Sequence, residues 1–406
     1  MKCRSCGSNK LSTIFDLGEM PWCNDFLTKE ELGKEKKYPL QLITCEDCEL
    51  LQLSHTVSKE IMFGDHSYLS GMTKTLVNHF YEVADENIKQ FNIQQNDLVV
   101  DIGGNDGSQL LQYKKLGIDN LLNVECAKTV SQLSRDAGID TITDYYNETL
   151  VADKIGSKTV KLYNASGVFF HLEDLHSVIK GIKSSLRDDG VLVVQFMYAG
   201  AMVDNLNFDT IYHEHLCYYT LRSLQNLLLP YELDIFDAYY SDIHSGSIIA
   251  KISHRNNALT ENKTSRYCET LERDKKYTTS SFVEFAEIVR NKKFQLKDLL
   301  TSLKSEGKSI YAYGAPAKGN TLLNYFEIDS TLIDKAVEVN ELKIGHYLPQ
   351  SHIPIVKESK NDRPDYYLLL SHNFAEEIIS KNKDIMSAGT KFIIPFPEIK
   401  IMGDDN

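Results

Sequence analysis

From about residue 97 onward, short apolar runs alternate with stretches whose apolar positions recur at helical spacing. "DLVVDIGGNDG" reads as a strand and a glycine turn, a helical stretch starts at Ser108, and "LLNVE" at 121–125 reads as a strand ending on an acid. "TVKLYNASG" and "GVLVVQF" are two more strand-like runs, with "LEDLHSVIKGIKSSL" between them at helical spacing. Strands alternating with amphipathic helices predict a parallel, doubly wound α/β sheet. "LDIFDAYY" and "GSIIAKISH" lie close enough to pair antiparallel across "SDIHS", which predicts a hairpin closing one edge. Residues 261–307 are charged and helical in character, and a second βα series starts at Ser309, predicting a smaller α/β domain.

The first 53 residues follow another pattern. "CRSC" at Cys3 and Cys6 and "CEDC" at Cys45 and Cys48 frame a stretch with few helical signals. Two CxxC knuckles offer four thiolates to one zinc ion, whose binding stabilises a module too small for a full core; four thiolates also close the shell, so the zinc is structural. Cys23, without a CxxC partner, reads as a plain buried cysteine. The expected division is therefore 1–66, 67–260 and 261–406.

Composition narrows the possibilities. At 42% apolar and 25% charged the chain can bury cores, and a net charge of −13 disfavours nucleic acid or an anionic membrane as main partner. With neither a long apolar run nor a signal-peptide pattern at the start, the expected address is the cytoplasm.

Chemistry concentrates in two places. The first is the glycine turn, where Gly103, Gly104 and Gly107 with Asn105 do not match GxGxxG. Asp101 precedes the turn, and Glu125 ends the next strand, where a carboxylate can accept hydrogen bonds from the ribose of an adenosine cofactor. Asp101, the GGxxG turn, Glu125 and the closing hairpin resemble the class I S-adenosylmethionine-dependent methyltransferases. The second place is "DTIYHEHLCYY" at 209–219. His213 and His215 would face opposite ways on a helix and share a face on a strand, and no third ligand stands nearby, which disfavours a metal. A titratable imidazole, a carboxylate and tyrosines directly after the last parallel strand suit acid–base catalysis, against the alternative of a polar loop.

"IYHEHLCYYT", with "FHLEDLHSVIKGI", "YAYGAPAKGNTLLNYF" and "LLLSHNFAEEI", resembles the sugar C-methyltransferases acting on nucleotide-linked 4-keto-deoxyhexoses, over nearly the whole chain. The resemblance implies a zinc-binding N-terminal domain, a central S-adenosylmethionine domain and a C-terminal Rossmann-like domain that helps hold the nucleotide-diphosphate sugar. It implies catalytic roles for Tyr212, Glu214 and His215, with His171 and Tyr68 lining the same cleft. His215 is expected to remove the C3 proton, Glu214 to orient its ring, and Tyr212 or Tyr68 to stabilise the enolate. Lys318, Asn320 and Tyr313 are the expected substrate-binding residues near "GAPAKG", where Lys318 could add charge for the diphosphate at a helix N-terminus. Two departures stand out: Ser245 in "HSGS" replaces a usual glycine, and Gly104 replaces a common serine, a change expected to be harmless. O- or N-methylation of a related sugar is the nearest alternative, and a zinc-containing scaffold without activity is the alternative of another class. A monomer or small homo-oligomer is expected.

Overall fold

The computed structural model describes residues 1–64, 69–359 and 361–403. At the N-terminus, β1 (Leu11–Pro21), β2 (Lys37–Cys45) and β3 (Leu51–Leu53) form an antiparallel meander. Both knuckles lie at one end of it, with Cys45 ending β2 and Cys48 in the turn that leads to β3. Helix Lys74–Phe91 then leads into the central domain and stops at Asn92, whose φ of 50° is a left-handed C-cap.

The parallel strands are β4 (Leu98–Ile102), β5 (Leu121–Glu125), β6 (Asp140–Thr143), β7 (Val160–Ser166) and β8 (Leu186–Met197). β9 (Cys217–Tyr218) follows. The hairpin of β10 (Leu233–Ser241) and β11 (Ser247–His254) then lays β11 antiparallel on β8. The central order is β10-β11-β8-β7-β4-β5-β6, a doubly wound sheet with the antiparallel closing hairpin expected from the sequence. β6 has no buried residue and escapes an apolar-run criterion, since its positions are exposed or half-buried.

β9 does not join this sheet. Cys217 and Tyr218 pair antiparallel with Gln52 and Leu51 of β3, so the N-terminal sheet has the order β1-β2-β3-β9. Helix Thr279–Ser305 connects to the last domain and buries Phe282, Phe285 and Val289 in its first half. There β12 (Ile310–Tyr313), β13 (Lys335–Glu338), β14 (Ile355–Lys357), β15 (Tyr366–Leu369) and β16 (Lys391–Ile394) are parallel, with β17 (Lys400–Met402) antiparallel at the edge, in the order β14-β13-β12-β15-β16-β17. One apolar core runs through all three parts. Phe208 shows this: its ring stacks on Phe326 with centroids 5.1 Å apart and meets Phe396 at 5.4 Å and Phe15 at 6.4 Å.

Candidate active site

The four knuckle thiols converge. Sγ atoms of Cys3, Cys6, Cys45 and Cys48 lie within 4.8 Å of one another, with the Cys3–Cys48 and Cys6–Cys45 pairs at 3.5 Å. A tetrahedral ZnS4 shell with bonds of about 2.3 Å spaces its sulfurs about 3.8 Å apart, so this donor set fits zinc. Arg4, inside the first knuckle, donates to the Leu53 carbonyl at 2.6 Å and to Gln52 Oε1 at 3.2 Å, tying the metal site to β3. Cys23 is buried elsewhere in the N-terminal part, as expected of a plain cysteine.

The strand order of the central sheet reverses between β4 and β7, and ligands of open α/β sheets bind at the carboxyl ends of strands at such a point. The glycine turn follows β4 there. Gly103 and Gly107 take φ of 65° and 79°, and Asn105 takes 53°. Glu125 Oε2 accepts the Asn105 backbone N–H at 3.0 Å and Oε1 the Ala127 N–H at 2.9 Å, so the carboxylate is fixed beside the turn. Buried Asp101 has its carboxyl pushed well up by desolvation and by the neighbouring Glu125. A fixed acceptor at the end of β5 and a turn of backbone amides after β4 suit the ribose and amino-acid ends of S-adenosylmethionine. Gly104 has a steric reason of its own: a Cβ there would lie 2.5 Å from Asn123 Oδ1 and 2.8 Å from Asp101 Oδ2. A serine would therefore require both side chains to shift. Asn105 accepts the Ser70 backbone N–H at 3.0 Å through Oδ1. Tyr68, expected in this cleft, lies outside the described residues.

Residues 212–215 form neither helix nor strand but a tight turn closed by the His215 N–H on the Tyr212 carbonyl at 2.9 Å. The turn separates the two histidines. His213 points to the N-terminal sheet, its Nε2 3.3 Å from the Tyr38 carbonyl and its ring against Tyr38. Burial lowers its pKa to about 4. His215 lies 2.7 Å through Nδ1 from the Thr210 carbonyl. A carbonyl only accepts, so Nδ1 carries the proton and Nε2 is the basic nitrogen. Burial, and secondarily the nearby His171, push the His215 pKa well below an ordinary imidazole, so the ring is neutral.

At Nδ1 the ring is held by the backbone carbonyl of Thr210, whereas the orienting role was expected of Glu214 from the sequence. The Glu214 carboxylate accepts Trp22 Nε1–H at 2.6 Å and Asn24 Nδ2–H at 2.7 Å through one oxygen. Its backbone carbonyl accepts from His171 Nδ1 at 2.7 Å. The rings of Tyr212 and His215 lie 3.9 Å apart and those of His171 and His215 5.1 Å apart. Burial, then Glu214, raise the Tyr212 hydroxyl well above 10, keeping it a donor. His171 and His215 converge because β9 is pinned on both sides: β3 pairs with it, and the Cys217 N–H donates to the Phe170 carbonyl at 3.2 Å.

The three C-terminal residues separate. Lys318 is half-buried at the start of helix Ala317–Phe326, bonded to Asn373 Oδ1 and close enough to Asp209 to feel its charge; burial lowers its pKa. Asn320 is fully buried and donates to the Cys23 carbonyl at 2.6 Å, so it grips the N-terminal part. Tyr313 is half-buried, packs on Tyr367 and Phe392 at the edge of the last domain's core, and bonds to Glu358 and Asn382. Thr210, Trp22 and Asn24 escaped the sequence reading. Thr210 acts through its carbonyl, which no side-chain pattern reports; Trp22 and Asn24 lie 190 and more positions from their partner, though the lone tryptophan beside "CND" is a signal that could have been weighed.

Two family models match the chain: a putative zinc binding domain over residues 3–63 and a C-methyltransferase C-terminal domain over residues 242–397. The C-methyltransferase NovU of Streptomyces niveus is 29% identical in an alignment covering 100% of this chain and 97% of that protein. Among solved structures, a possible histamine N-methyltransferase from Thermotoga maritima aligns with TM-score 0.35 at 14% identity, covering 44% of this chain and 91% of that one. Magnesium protoporphyrin IX methyltransferase from Synechocystis PCC 6803 aligns with TM-score 0.34 at 13% identity, covering 48% and 88%. No helix among the described residues is long and apolar enough to cross a membrane.

Proposed function

We propose that the chain methylates C3 of a nucleotide-linked 4-keto-deoxysugar, a reading supported by the matches to a zinc-binding model and a C-methyltransferase C-terminal model and by the full-length alignment with a C-methyltransferase. S-adenosylmethionine, when bound beside Glu125 and the glycine turn, supplies an electrophilic methyl group. Carbon becomes nucleophilic only after losing a proton, and the C4 ketone next to C3 can take up the resulting charge as an enolate. A base and an oxyanion donor are therefore both required.

The single observation that carries this reading is the tautomer of His215. Its Nδ1–H is committed to Thr210, and its depressed pKa leaves Nε2 unprotonated at neutral pH, ready to accept the C3 proton. Tyr212, ring to ring with His215 and protonated, donates to the developing enolate oxygen. Lys318 faces the diphosphate from the C-terminal domain. Positioned general bases contribute roughly 10²- to 10⁴-fold in rate. Exchange of the C3 proton with deuterated water should fall by about 100-fold or more in His215→Asn, while S-adenosylhomocysteine binding by calorimetry stays unchanged. Undiminished exchange would remove His215 as base, and a product methyl on oxygen or nitrogen would remove C-methylation.

A further inference from the structure

Pro21 ends β1, and the loop that follows leaves the N-terminal sheet for the active site. Trp22 and Asn24 both donate to Oε1 of Glu214, at 2.6 and 2.7 Å. The C-terminal domain holds this loop at two points. Asn320 binds the Cys23 carbonyl at 2.6 Å, and Leu27 exchanges backbone hydrogen bonds of 2.9 and 2.8 Å with Tyr347. The loop therefore has a fixed conformation before it meets Glu214, and its two donors come from a rigid base.

Two N–H donors converging on one carboxylate oxygen fix where that oxygen sits. Glu214 lies between Tyr212 and His215 in the turn and accepts from His171 through its backbone carbonyl. A shift of Glu214 is thus felt by both histidines. An active-site misplacement of about 1 Å can cost about 100-fold in rate.

We infer that Trp22 and Asn24 are positioning residues for methyl transfer: through Glu214 they hold the 212–215 turn in register, so that the N-terminal domain completes the active site. The inference rests on the reading of that turn as catalytic. Neither residue is expected to touch substrate.

The test uses the full-length, zinc-loaded protein, with Trp22→Phe and Asn24→Leu, which keep bulk and remove the donor. With dTDP-4-keto-6-deoxyglucose as probe, each should lower kcat and C3 proton exchange about 10- to 100-fold, leaving the KM for S-adenosylmethionine and the zinc content unchanged. In a Glu214→Leu background, which removes the shared acceptor, the further loss from Trp22→Phe should shrink to less than about twofold, because residues acting through one partner are not additive. Full additivity, or wild-type rates in both single variants, would overturn the inference. A second readout does not depend on the probe. The chain has one tryptophan, so its indole N–H gives one resonance, which should move on Glu214→Gln. If the wild-type protein fails to turn over the probe, the substrate reading fails, and an unmoved indole resonance separately overturns the positioning role.

Discussion

At the scale of single residues, backbone conformation decides more than side-chain type. His215 is set apart from His213 by a turn, not by chemistry: both rings are buried, yet one binds Thr210 inside the site and the other Tyr38 on the N-terminal sheet. The β10–β11 turn makes the same point. His244, Ser245 and Gly246 have φ of 55°, 65° and 115°, so the position where a glycine is usual keeps a left-handed backbone although it carries a serine. A left-handed non-glycine residue costs about 1–2 kcal/mol, while glycine loses about 0.5–1 kcal/mol through the unfolded chain. Ser245→Gly should therefore raise stability by a net ~0.5–1 kcal/mol, measured as an increased denaturation midpoint at unchanged m-value.

At the scale of elements, the two-residue strand β9 matters out of proportion to its length. It fastens the 212–215 turn to β3, and β3 is fastened to the knuckles by the Cys45–Cys48 turn and by Arg4. Asn226 adds a bond to the Cys48 carbonyl at 3.2 Å. The four-thiol site is thus coupled to His215 through one hairpin and one strand pairing. Since a small module of this kind draws its folding energy from the metal, chelation should release β3 and β9 together. Methyl transfer is then expected to fall by about 10-fold or more, while S-adenosylhomocysteine affinity, set by the seven-stranded sheet, changes less than about twofold; equal loss of both would place the effect on global unfolding.

At the scale of the whole molecule, the site is assembled where three parts meet. Asp209, one residue before Thr210, pairs with His372 of the C-terminal domain at 2.9 Å, both side chains almost wholly buried. Burial alone would raise the Asp209 carboxyl, but His372 and Lys318 hold it below the usual carboxylate range. Among the described residues its Oδ1 has no hydrogen-bond partner, so the carboxylate depends heavily on His372. Removing one partner of a buried pair costs about 3–5 kcal/mol because the other is left uncompensated. His372→Ala should lower unfolding stability by about that amount, read by denaturant titration, with a larger loss in His372→Ala than in Ser371→Ala, which spares the pair.

Much of this was readable in local sequence. Four thiols at CxxC spacing meet at one point because the spacing alone brings each pair within ligand reach. The doubly wound sheet and its closing hairpin follow from apolar runs that have few other ways to be buried, and Glu125 ends its strand beside the glycine turn because strand length and turn position are local properties. The neighbours of Glu214 were not readable in this way, nor were the tautomer of His215, the pairing of β9 with β3, or the contacts that Asn320 makes with Cys23 and Tyr313 with Asn382. Each depends on a contact between residues far apart in the chain or on a backbone carbonyl, and neither leaves a periodic trace. Sequence determined which chemical groups the protein owns and which strands carry them; only tertiary packing decided which of those groups face one another, because hydrogen-bond partners across domains are chosen by geometry within a few tenths of an ångström.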